Sequence, residues 1–117
     1  MDFVLTLHSH LPYVLNHGRW PHGSDWICEA AVDTYLPLLE AFRRLDAEAI
    51  PARVTIGFTP VLANQLANPL FARELESFLA QRLAAGAAAP ASLAATGESH
   101  LLPLVEYWRA RLLRLRG

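Results

Sequence analysis

The sequence predicts an α/β chain: two short parallel strands, with helices between and after them, as in one portion of a (β/α) barrel. Three observations carry this. Phe3–Tyr13, FVLTLHSHLPY, opens with strand-forming residues whose side chains split by alternation. Phe3, Leu5 and Leu7 share one face, while Val4, Thr6, His8 and His10 share the other. Arg53–Thr59, RVTIGFT, repeats the split, with Val54, Ile56 and Phe58 opposite Thr55, Gly57 and Thr59. Strand, helix, strand with so long a crossover implies a parallel, right-handed pair.

The first strand is expected over Phe3–His8, with Leu5 and Leu7 packed against helices. Its second face turns polar toward the C-terminal end, and Pro12, lacking a backbone donor, ends the pairing. The loop Val14–Ser24 mixes Asn16, His17, Gly18, Arg19, Trp20, Pro21, His22 and Gly23. It reads either as a surface turn or as a pocket wall, and Trp20 favours the wall because an indole stacks on a sugar or fills an apolar cleft. Ser24 or Asp25 is the expected cap of a helix starting near Trp26, with Glu29 in its early turns. Pro37 removes a donor and crowds the carbonyl of Asp33, so a kink or two helical pieces are expected. The second piece places Leu38, Leu39, Phe42 and Leu45 on one face.

After the second strand, Pro60 suits the first turn of a short helix over Val61–Ala67, and Asn68-Pro69 breaks the chain again. Leu70–Ala85 reads as an amphipathic helix with Phe71, Leu75, Phe78, Leu79 and Leu83 on its apolar side. Residues 86–97, GAAAPASLAATG, form an Ala/Gly-rich, low-complexity connection, flexible or weakly helical. Glu98 or Ser99 leads a last helix through Leu101–Leu115, with Pro103 in its first turn and four arginines toward its end.

The pair His8-Ser9-His10 admits three readings on spacing alone. One imidazole is hydrogen-bonded at a strand end and the other exposed; or the two ligate a metal; or they are hydrogen-bonding groups for a polar substrate. A metal needs further ligands. His17, His22 and His100 are available, yet no helical H-x-x-x-H or downstream Asp motif accompanies them.

Composition narrows the classes. With 117 residues, 53% hydrophobic and 18% charged, the chain is globular. A net charge of −1 gives no electrostatic case for nucleic acid or an anionic membrane. All ten cations are arginine, and no aromatic platform is expected beside the C-terminal ones. The single cysteine, Cys28, excludes an internal disulfide and reads as a small buried hydrophobe. No export signal or membrane span is visible, so the cytoplasm is the default location.

LHSHLPYV, then HGRWPHG, then EAAVDTYLPLL, then TIGFTPVLANQLA, in that order over Phe3–Ala67, resemble glycoside hydrolase family 57, and within it the 1,4-α-glucan branching enzymes. The resemblance implies an incomplete (β/α)7 (TIM-like) barrel, a retaining mechanism and α-1,4-glucan (glycogen, amylose) as partner; no cofactor and no metal are expected. It implies that His8 and His10 stand in a first motif whose histidine lines the donor-sugar subsite, and that Trp20 stands in the loop flanking the acceptor side. Glu29 matches an acidic position to which no role is attached.

The departure is the catalytic pair. The family's glutamate nucleophile and aspartate acid/base lie on later strands, and neither motif occurs in this sequence. Retaining chemistry needs two carboxyl groups roughly 5–5.5 Å apart, and the one helical pair on a shared face, Asp25 with Glu29, has ordinary helix-start explanations. A complete barrel takes about 250 residues. The expectation is therefore that residues 1–117 are a partial, N-terminal piece of such a barrel, with no catalytic residue of its own. The alternatives are a family 57 α-amylase or 4-α-glucanotransferase piece, a metal-dependent hydrolase using His8 and His10, and a non-enzymatic relic or helical binding module.

Overall fold

The computed structural model describes residues 3–116 of the chain. The elements are β1 (Leu5–Ser9), α1 (Ser24–Ala30), a π-helical segment (Ala31–Tyr35), α2 (Leu36–Ala47), β2 (Val54–Phe58), α3 (Pro60–Ala67), α4 (Pro69–Thr96), a 3-10 turn (Ser99–Leu101) and α5 (Leu102–Arg116). They fall into two compact units, divided between Ala72 and Arg73, inside α4.

In the first unit β1 and β2 pair in parallel, with Leu5 beside Val54, Thr6 beside Thr55, Leu7 beside Ile56, His8 beside Gly57 and Ser9 beside Phe58. The parallel pair and its alternation are as the sequence predicts. β1 begins later and ends later than Phe3–His8. The apolar face also differs from expectation: Leu5 is 40% exposed and Leu7 only half-buried. Side chains on a two-stranded sheet lack the neighbouring strands that would bring helices over them. On β2 the apolar face does meet a helical neighbour, for the Phe58 and Tyr35 rings stand 6.4 Å apart.

The buried apolar side chains of this unit come from beyond the strands. They are Leu11, Val14 and Leu15 of the loop after β1, Ile27, Cys28, Ala31 and Val32 of the first helical stretch, and Leu62 of α3. Cys28 is buried, as read from the sequence.

Pro37 shapes the helical crossover. A regular turn would send its missing N–H to Asp33, so the ladder there loses a bond. The chain widens into a π-helix just before the proline, and Leu36 N–H reaches back five residues to the Ala31 carbonyl. The two expected pieces are thus joined by a π segment, and Pro37 falls in the first turn of α2. Leu38, Phe42 and Leu45 are half-buried, but Leu39 is 43% exposed and leaves the face assigned to it. At 100° per residue Leu39 lies a quarter-turn and more from Leu38, outside the narrow stripe that i, i+4 and i+7 define.

The helix start also differs from expectation. The N-cap of α1 is Gly23, with no side-chain cap, and both Ser24 and Asp25 lie inside the helix. Loop carbonyls do the capping instead: Ser24 N–H donates to Gly18 O at 2.9 Å and Asp25 N–H to Arg19 O at 3.3 Å. Asp25 accepts from Arg19 Nε at 2.9 Å. A Cβ on Gly23 would collide with the Gly18 carbonyl, so the close approach needs glycine.

α3 starts as expected. Thr59 is its N-cap and accepts from Leu62 N–H at 3.4 Å, with Pro60 at the first helical position. Asn68 then turns extended, and its Oδ1 accepts from Leu70 N–H at 2.9 Å to open α4.

In the second unit α4 runs on through residues 86–96, so of the two readings for that stretch the helical one applies, with Pro90 inside it. Alanine's high propensity sustains the helix where sequence complexity is low. Its end is a two-bond glycine cap: Gly97 has φ of 76°, its N–H donates to Ala94 O, and Glu98 N–H donates to Leu93 O at 2.8 Å. Phe78 and Leu79 are buried, and Phe71, Leu75 and Leu83 are half-buried, matching the apolar face read from the sequence. α5 lies against α4 at Gly86, where a Cβ would meet the Arg109 side chain at 3.7 Å. The Arg111 guanidinium stands 5.3 Å from the centre of the Trp108 ring, so one aromatic does accompany the C-terminal arginines, against expectation.

Candidate functional site

Both strands end at the same level, and the polar residues gather there. β1 closes at Ser9, whose carbonyl accepts from Thr59 N–H at 3.3 Å, so the ladder runs on to the threshold of α3. Open α/β folds place their sites at such carboxyl ends. Alternation sends Thr6 and His8 to one face, and β2 offers Thr55 and Gly57 beside them. Gly57 leaves room for the His8 ring: a Cβ there would lie 3.4 Å from His8 Nδ1. The His10 ring stands 6.5 Å from that of His8, nearly parallel at 13°. Both histidines are exposed. Two adjacent imidazoles facing solvent can donate or accept hydrogen bonds with a polyhydroxylated ligand.

The loop after β1 is wound tightly. Tyr13 meets His17 edge-on at 5.9 Å, and His17 Nδ1 donates to Leu15 O at 2.9 Å. His22 lies 5.6 Å from Trp26. Trp20 is 75% exposed, precedes a cis Pro21, and makes no ring contact with His8 or His10 among the described residues. Of the three residues singled out in the sequence, the structure brings His8 and His10 together and leaves Trp20 on the loop surface.

Among the described residues no three His, Cys, Asp or Glu side chains gather as a metal centre requires. His17 is committed to Leu15 and Tyr13, and His22 to Trp26. No helix among the described residues is long and apolar enough to cross a membrane. Asp25 lies in the first turn of α1, where it pairs with Arg19 rather than capping the helix.

One residue escaped the sequence reading. Gln65 of α3 is fully buried. Its Oε1 accepts from Val14 N–H at 2.7 Å and Leu15 N–H at 3.3 Å. Its Nε2 donates to Pro12 O at 2.9 Å and to Val61 O at 3.4 Å. The only available signal was an amide among apolar positions of an amphipathic helix, Leu62 preceding it by three.

No protein-family model matches the chain. It is 42% identical over 82 residues to a 1,4-alpha-glucan branching enzyme of Thermococcus kodakarensis, a match covering 70% of this chain and 12% of that protein. It is 40% identical over 78 residues to a probable 1,4-alpha-glucan branching enzyme of Mycobacterium tuberculosis, covering 67% of this chain and 15% of that one. Its structure superposes on the crystal structure of a GH57-type branching enzyme from the hyperthermophilic archaeon Pyrococcus horikoshii with a TM-score of 0.84 and 30% identity. That superposition covers 96% of this chain and 20% of the Pyrococcus chain. The chain thus spans only a small part of the length of each protein it matches. By sequence and by fold alike, the chain is similar to one part of the GH57-type 1,4-alpha-glucan branching enzymes.

Proposed function

We propose that this chain is the N-terminal portion of a retaining 1,4-α-glucan branching enzyme, the first two strands of an incomplete (β/α)7 barrel. It presents His8, His10 and Trp20 to an α-1,4-glucan such as glycogen or amylose. The observation that carries the reading is the likeness to a GH57-type branching enzyme over nearly the whole of this chain, at a TM-score of 0.84. The site geometry supports it: two exposed imidazoles side by side at the carboxyl end of a parallel pair suit hydroxyl recognition, while Trp20 offers an indole face for a sugar. On this reading the nucleophile and the acid/base come from strands outside these residues, in the cytoplasmic synthesis of a storage glucan.

Affinity electrophoresis tests the binding role. In a gel containing amylose the chain is retarded relative to a gel without it, and His10→Ala, His8→Ala or Trp20→Ala each reduces the retardation. A wild-type chain that migrates equally in both gels removes the proposal.

A further inference from the structure

We propose that Gln65 is a positioning residue for the glucan site: it sets where His10 and Tyr13 stand by tying the loop after β1 to α3. The inference rests on the sugar-binding reading above.

The loop needs such a tie. Past Ser9 the ladder has ended, and Pro12 contributes no donor, so the backbone groups of residues 12–15 have no strand to bond. Leu11, Val14 and Leu15 are buried, while His10 and Tyr13 between and beside them are exposed. Apolar burial holds the loop down but is non-directional, and does not by itself choose which side chains face outward. Hydrogen bonds to the backbone do choose. Gln65 makes three of them, to Pro12 O, Val14 N–H and Leu15 N–H, and thereby fixes the loop on either side of Tyr13.

The chemistry calls for an amide. A glutamine offers one oxygen with two lone pairs and one nitrogen with two hydrogens, and all four are used. A glutamate of the same length would keep both N–H partners but turn an acceptor against the Pro12 and Val61 carbonyls. A leucine would keep the bulk and make none of the bonds. The side chain does not touch the ligand on this account. It acts through the backbone that carries His10 and Tyr13.

The test uses the 117-residue chain with NMR. Amide exchange of Val14 and Leu15 is measured in wild type, Gln65→Leu and Gln65→Glu, together with maltoheptaose titrations followed at the His10 ring. Gln65→Leu is expected to speed exchange at Val14 and Leu15 by about tenfold to a hundredfold, with the Ile27 amide little changed. Maltoheptaose affinity is expected to fall about tenfold, and the ligand-induced shift of the His10 ring to vanish. Gln65→Glu, the isosteric variant, keeps the test intact if Gln65→Leu fails to fold; it is expected to lose the His10 shift with the core methyl signals of Ile27 and Leu62 in place. Variants that release Val14 and Leu15 yet retain full affinity and the His10 shift would reduce Gln65 to a structural tie and overturn the proposal. Unchanged exchange at Val14 and Leu15 in a folded Gln65→Leu overturns the tether while leaving the sugar-binding reading standing. If maltoheptaose leaves the wild-type His10 ring unmoved, the sugar-binding reading fails and the functional half of this proposal goes with it.

Discussion

His8 and Gly57 face each other across the parallel ladder, and the imidazole lies within van der Waals reach of a Cβ built at residue 57. A Cβ at that position meets His8 Nδ1 at 3.4 Å, ordinary van der Waals contact. Gly57→Ala is therefore expected to be tolerated, and to stabilise the chain by about 0.4–1 kcal/mol through the unfolded state. Gly57→Val adds two further carbons and should push the ring aside, shifting the His8 ring signals and lowering retention on amylose. Unmoved His8 signals in Gly57→Val would show that the ring does not depend on that space.

Gly23→Ala should destabilise the first unit by about 1–3 kcal/mol, since the new methyl collides with the Gly18 carbonyl and crowds Arg19 N at 2.7 Å. Gly18→Ala is the comparison. Its φ is 74° with open space around it, so only the left-handed backbone penalty of about 1–2 kcal/mol applies. Urea midpoints followed by far-ultraviolet circular dichroism measure both; equal midpoints for wild type and Gly23→Ala would contradict the packing.

Ala49 ends α2 in the left-handed region at φ 54°, where Ala49 N–H donates to Asp46 O and Ile50 N–H to Leu45 O. This is the same two-bond cap that Gly97 makes for α4, built with a residue that has a Cβ. Ala49→Gly should raise stability by about 1 kcal/mol, the left-handed strain removed less the extra entropy of glycine. Thermal unfolding checks it. Asn16→Gly, at φ 66°, should gain less, because asparagine tolerates that region.

The chain alone is expected neither to branch nor to hydrolyse α-glucan. Covalent glycosyl transfer needs a carboxylate nucleophile and a second carboxyl that alternates between acid and base. Asp25 is committed to Arg19, and imidazoles at a strand end do not replace such a pair. Incubation with amylose, then iodine staining and debranching, should give no new α-1,6 linkages or reducing ends above a His10→Ala control. Any excess over that control would mean a catalytic pair within this chain.

Local chemistry made much of this protein legible from residues alone. Proline placed the breaks at Pro37 and Asn68-Pro69 and the start at Pro60, because a missing donor acts locally, although α4 carries Pro90 without ending there. Alternation paired the two strands and put His8 on the face of Thr55 and Gly57, because the period of two follows from the backbone itself. The four family-like segments led to the relationship that sequence identity and superposition bear out.

Only the tertiary structure decided the rest. That Leu5 is exposed depends on which neighbours cover a strand, and that Gly23 rather than Ser24 caps α1 depends on the Gly18 and Arg19 carbonyls arriving there. That Trp20 is exposed on its loop, without a ring contact to either histidine among the described residues, was likewise settled by the folded chain. Gln65 had no local reason to be special. Its partners lie about fifty residues away in sequence, and a side chain's hydrogen bonds across that distance exist only once the crossover has brought α3 beneath the loop after β1.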